Sequence, residues 1–125
     1  MANNQQSQIF HVAERDCISS IDSSLPDILG TYIIVKWMEI VSAKIVNQQL
    51  DDQYISVGGK ISIDHTGMVK LGDNVEIIST IKNREKRRIF FLVEALSNGK
   101  IIANAQHERV IISTKMLTRI YKNKG

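Results

Sequence analysis

Two ionisable residues stand where the hydrophobic pattern of this chain calls for a core. Glu39 lies inside the apolar run Ile33–Val46, and His65 closes a strand pattern on the face that carries Ile55, Val57, Ile61 and Ile63. Taking a carboxylate or an imidazole out of water costs several kcal/mol unless each finds a partner. An acid on a helix and a histidine on a strand therefore point to a site at the seam between those elements. The chemistry on offer is proton transfer. A carboxylate can act as base or nucleophile, and an imidazole can move a proton near neutral pH. The plainer alternative is a surface Lys36–Glu39 pair and a histidine satisfied at a strand end.

The elements that must hold these residues follow from periodicity. Residues 1–8 are polar and read as a flexible tail, and 9–125 read as a single domain. Ile9–Ala13 suits a short strand. Ser24-Leu25-Pro26-Asp27 reads as a helix start, with Ser as cap and Pro in the first turn. After Gly30, Thr31 can cap a longer helix to about Gln49. Its stripe of Ile34, Trp37, Met38, Val41 and Ile45 has helical spacing. Ile33, Val35, Ile40 and Val46 widen that stripe, which predicts a buried helix with a thin polar sector of Lys36, Glu39, Ala43 and Asn47.

Beyond Leu50 the period becomes alternating. Strands are predicted over Tyr54–His65, Asn74–Ile81, Arg88–Leu96, Lys100–Ser113 and Met116–Tyr121. Asn98-Gly99 is a two-residue type I′ hairpin signal. The predicted fold class is α+β, an antiparallel β-sheet wrapped around one long central helix.

Composition excludes several classes of function. At 125 residues and 43% hydrophobic content, the chain can bury one ordinary core. The net charge of +3 is mild, and its excess sits in Lys82–Arg88 and after Ser113. That basic run lacks the interleaved aromatic residues of a single-strand binder, so no nucleic-acid partner is expected. Cys17 is the lone cysteine, which excludes an internal disulfide and fits a reducing compartment. No signal-peptide pattern opens the sequence, and no segment nears the roughly 18 apolar residues of a membrane span. A soluble, cytoplasmic protein with no membrane partner is expected. No His, Cys or Asp group has metal-ligand spacing, and no Gly-rich phosphate loop is present.

Three blocks then resemble one family. They are Gly30-Thr31-Tyr32-Ile33-Ile34-Val35-Lys36-Trp37-Met38-Glu39, Ser56-Val57-Gly58-Gly59-Lys60-Ile61-Ser62-Ile63-Asp64-His65, and His107-Glu108-Arg109-Val110-Ile111-Ile112. Together they resemble the hotdog-fold acyl-CoA thioesterases, in the branch that includes fluoroacetyl-CoA thioesterase, over roughly residues 9–121. The resemblance implies a catalytic set of Thr31, Glu39 and His65, with Gly58 beside the thioester carbonyl and Gly59 next to it. Thr31 would hold Glu39 or polarise the substrate, and the Gly58 amide would reach a carbonyl that a side chain would block. Their structural alternatives are a helix cap for Thr31 and a strand bulge for Gly58 and Gly59. Arg84, Lys86, Arg87 and Arg88 would clamp coenzyme A phosphates, the alternative being a solvated hairpin. His107 reads as a packed strand histidine.

The implied activity is hydrolysis of an acyl-CoA, or another acyl thioester, to a carboxylic acid and free thiol. No cofactor is expected, since coenzyme A is part of the substrate. The alternative is a hotdog module that binds acyl-CoA without turning it over. The connector Asp16–Leu29 lacks the aromatic residues that cover the acyl pocket of the fluoroacetyl-specific enzyme, which argues against that selectivity. Tyr32 and Val69-Lys70-Leu71-Gly72 stand where the family often has proline. Strand Arg88–Leu96 is apolar on both faces, which implies a second covered surface. Together with the resemblance this predicts a homodimer, or a tetramer built from it, with active-site residues drawn from two subunits.

Overall fold

The computed structural model describes residues 3–124. Its elements are β1 (Gln5–His11), α1 (Thr31–Asn47), β2 (Tyr54–His65), β3 (Asn74–Glu85), β4 (Arg88–Ser97), β5 (Lys100–Ser113) and α2 (Thr114–Lys124). The five strands form one antiparallel sheet in the order β1-β3-β4-β5-β2, which leaves β1 and β2 as its edges. α1 touches all five strands, so the sheet curls round it as expected.

α1 buries Ile34, Trp37, Met38, Val41 and Ile45 in the predicted stripe, with Ile33 and Val46 beside them. Opposite them, across one interior, lie Val75, Ile77, Ile89, Phe91, Val93, Ala95 and Ala103. The far side of the helix is less enclosed than its composition suggested: Val35, Glu39 and Ile40 are only half-buried. Phe10 stacks on Trp37 with ring centroids 4.7 Å apart and planes 11° from parallel, which ties edge strand β1 to the helix.

Several expectations need correction. Gln5–Gln8 are not a tail, because they pair with β3; Met1 and Ala2 lie outside the described residues. Ser24–Asp27 forms no helix. There Asp22 Oδ1 accepts hydrogen bonds from the Ser24 amide and hydroxyl, and the segment turns instead. Met116–Tyr121 is part of helix α2, not a strand. The Ser113 hydroxyl accepts the Met116 amide hydrogen at 3.0 Å and caps it. Thr31 is not the cap of α1. Gly30 holds that position in an extended conformation, which leaves the Thr31 hydroxyl free for other work.

The most consequential correction concerns β2. A bulge between Gly58 and Lys60 inserts Gly59 against β5, so Gly58 opposes Arg109 while Lys60 opposes Glu108. Inserting one residue reverses the alternation beyond it. Ile61, Ile63 and His65 face α1, whereas Ile55 and Val57 sit across from Ile112 and Val110 on the outer face. The five residues expected to share a face do not share one.

The β4–β5 turn matches its signal. Asn98 and Gly99 have φ of 51° and 76°, the paired left-handed geometry of a type I′ turn. Gly99→Ala should lower stability by about 1 kcal/mol, a few degrees in Tm, because only backbone strain opposes it. Thermal denaturation followed by circular dichroism measures this.

Candidate functional site

At its N-terminal end α1 meets the end of β2. The Thr31 Oγ1 and His65 Nδ1 atoms are 2.7 Å apart, and His65 Nε2 lies 2.7 Å from the Gly67 carbonyl oxygen. A carbonyl only accepts, so Nε2 carries the hydrogen, and the neutral ring presents Nδ1 to the Thr31 hydroxyl as an acceptor. The imidazole is therefore fixed in tautomer and orientation by backbone, with a hydroxyl on its basic nitrogen. Thr31 is exposed and His65 half-buried, so solvent and solutes reach the pair.

Two turns along α1, Glu39 meets the bulge in β2. A methyl group built on Gly58 would lie 2.6 Å from Glu39 Oε1, and 3.6 Å from both Arg109 and His107. The missing side chain at Gly58 is thus the space that Glu39 occupies. The Glu39 side chain is 44% exposed, so it is not the buried carboxylate its apolar surroundings suggested. Thr31 does not hold Glu39 within one chain: eight helical residues separate them by about 12 Å along the axis.

Sequence reasoning missed what lies behind Glu39. Arg109 is buried opposite Gly58, with Nη1 3.9 Å from Glu39 Oε1. Its Nε donates to Ser56 Oγ at 2.9 Å, Nη2 donates to the Ser56 carbonyl at 3.1 Å, and Nη1 donates to His107 Nε2 at 3.2 Å. His107 in turn donates from Nδ1 to the Lys60 carbonyl at 2.8 Å. Ser56 completes the chain by donating to Asn47 Oδ1 at 2.9 Å. The available signal was parity, since Arg109 alternates with His107, Ala105 and Ala103 on the core face of β5.

Burial pulls both His107 and Arg109 away from their charged forms. The His107 imidazole titrates below its ordinary range, first because of burial and then because Arg109 is near, with the bond to Lys60 opposing. Burial likewise lowers Arg109, and the Glu39 carboxylate pushes it back. His107 has a sign that can be checked. The unfolded chain takes up its proton first as pH drops, so the stabilisation is complete above about pH 6.5 and lost as pH falls from there toward the folded pKa. Tm should therefore fall between pH 7.5 and 5, and His107→Gln should show a shallower fall.

The other expected contacts are exposed. Gly59 is the bulged residue, and a methyl there would meet only Val110 and Glu108 at 3.6 and 3.8 Å. Lys86, Arg87 and Arg88 line an open concavity of about 750 Å³ at the β3–β4 hairpin with Glu85 and Val110. Arg84 points instead to the segment just past α1, donating to Gln49 Oε1 at 3.0 Å. Cys17 is buried in the core. Among the described residues no group of His, Cys, Asp or Glu could hold a metal ion, and no helix is long and apolar enough to cross a membrane.

Comparison with known proteins agrees with this architecture. A family model described as fluoroacetyl-CoA-specific thioesterase matches residues 12–115. No curated protein matches the chain. A hot-dog-like protein from Thermanaerovibrio acidaminovorans is 22% identical, with a TM-score of 0.90 over 99% of this chain and 93% of that one. A thioesterase superfamily member from Thermus thermophilus is 19% identical, with a TM-score of 0.91 over 98% and 91% of the two chains. A mutant of the fluoroacetyl-CoA enzyme, solved with acetyl-CoA, is 19% identical, with a TM-score of 0.90 over 99% and 98%. The fold is the hotdog fold.

Proposed function

Since the chain belongs to the fluoroacetyl-CoA-specific thioesterase family, we propose that it hydrolyses an acyl-CoA at a site built from Thr31, Glu39, His65 and Gly58. Thioester hydrolysis is the activity of that family; the carrier and the residue roles are inferred. The observation that carries those roles is the Gly67–His65–Thr31 chain of hydrogen bonds, each 2.7 Å long. It prepares a base and aims it at an oxygen. Coenzyme A as carrier is supported by the structural relative that holds acetyl-CoA. No added cofactor is required, because the bond to be broken and the leaving thiol both belong to the substrate.

Within one chain the two halves of the site are too far apart to meet at one carbonyl. The unpaired edge of β2 offers a solution. Antiparallel pairing with a second β2, about a two-fold axis at Ser62, would set Gly58 across from the partner's His65, because the bulge makes Gly58 and Gly59 a single pairing position. The bulge makes this work, for residues seven apart on a regular strand point to opposite faces. With the bulge, both face the helix layer. The Glu39 carboxylate of one subunit then takes a proton from water as the water oxygen bonds to the carbonyl carbon. The tetrahedral intermediate collapses with cleavage of the C–S bond, and the partner's His65 and Thr31 relay that proton to the leaving thiolate. The β3–β4 hairpin, with Lys86, Arg87 and Arg88, supplies cations for coenzyme A phosphates. A cytoplasmic location fits the free Cys17.

Release of free thiol across a panel of acyl-CoAs, from short aliphatic to aromatic, tests the activity. Tight binding with no release from any of them would replace the enzyme with a binding module. Mixing Glu39→Gln with His65→Ala protein tests the shared site. Mixed dimers would hold one intact site each and recover about half the wild-type activity per dimer, whereas sites confined to single chains would recover none.

A further inference from the structure

Arg109 poses a question that its place in the core does not answer. It is only 6% exposed. A buried ion pair is often no more stabilising than well-packed apolar residues of the same volume. Yet the fold commits Ser56, His107 and Asn47 to holding this guanidinium in one orientation. Nε and Nη2 are both taken up by Ser56, which fixes the plane of the fork. Nη1 is steered by His107, whose own ring is locked to the Lys60 carbonyl at the bulge. What remains of Nη1 faces Glu39 Oε1 at 3.9 Å. The groups facing Arg109 are thus Glu39 from α1, Ser56 from β2 and His107 from β5.

Resting on the thioesterase reading above, we propose that Arg109 is the positioning residue for Glu39, holding its carboxylate over the space left open at Gly58. The guanidinium sits behind the carboxylate, on the side away from solvent, so Glu39 keeps an exposed oxygen edge for water or substrate. Arg109 acts on the reaction through Glu39. A rigid fork held at three points gives direction to the pair as well as charge, which a lysine ammonium cannot reproduce. Misplacing a reacting group by about 1 Å can cost roughly a hundredfold in rate, so the orientation matters even though Glu39 is half exposed.

The test is a double-mutant cycle on kcat and KM with the best acyl-CoA substrate. Arg109→Met should lower kcat by about tenfold to a hundredfold with KM nearly unchanged, and Arg109→Lys should recover only part of that. The deciding comparison is Arg109→Met placed on Glu39→Gln. If Arg109 acts through Glu39, the second change adds almost nothing, because there is no carboxylate left to aim. Losses that multiply in the double variant, or wild-type kcat in Arg109→Lys and Arg109→Met, would overturn the proposal. Should Arg109→Met fail to fold, Arg109→Lys on the Glu39→Gln background gives the same reading. An inactive wild type, or full activity in Glu39→Gln, would instead count against the thioesterase site itself and is visible before the cycle is closed.

Discussion

Glu39→Gln and His65→Ala should each lower kcat/KM for the preferred acyl-CoA at least about a hundredfold, the scale of a lost general acid or base. Both changes leave the core alone. Glu39 is nearly half exposed, and glutamine keeps its shape and an oxygen that Arg109 can still reach. His65 hydrogen-bonds Thr31 and the Gly67 carbonyl at the rim of the sheet, so alanine there removes polar contacts and leaves little cavity. Near-UV circular dichroism and Tm should stay close to wild type while thiol release collapses. Wild-type rates in both variants would remove the proposed site.

Gly58→Ala should cost about a hundredfold in kcat as well, by the same logic of small displacements. The added methyl would come within 2.6 Å of Glu39 Oε1, closer than a Cβ carbon comes to an oxygen it is not bonded to. The carboxylate must swing aside, since the backbone of β2 is held by β5. Gly59→Ala is the matched control one residue away. Its methyl would make only ordinary contacts at 3.6 and 3.8 Å, and its backbone is not left-handed. Steady-state rates of the two variants side by side decide the matter. Equal losses would show that the bulge as a whole is fragile, not that the Gly58 space belongs to the carboxylate.

Much of this protein was legible without coordinates. The helix of Thr31–Asn47, the strands beginning at Tyr54, Asn74, Arg88 and Lys100, and the Asn98-Gly99 turn all rest on spacing and turn chemistry within a few residues. Thr31, Glu39, Gly58 and His65 could be named because their spacing is a property of the linear chain. What the linear chain did not disclose is which of them meet. Thr31 turned out to hold His65 and not Glu39, and Gly58 to receive the carboxylate, because those pairings depend on how β2 crosses α1. The bulge at Gly58–Lys60 was decided by register against β5, and with it which half of β2 faces the helix. Arg109 sat in a quoted motif, yet its role stayed hidden until the fold brought Ser56, His107 and Glu39 around it. The tail after Ser113 became a helix: Met116, Leu117, Ile120 and Tyr121 recur at helical spacing, and the Ser113 hydroxyl caps the first turn. Local pattern sets which elements form; contacts between residues far apart in sequence set which faces they turn to one another, and the chemistry of this site lies in those faces.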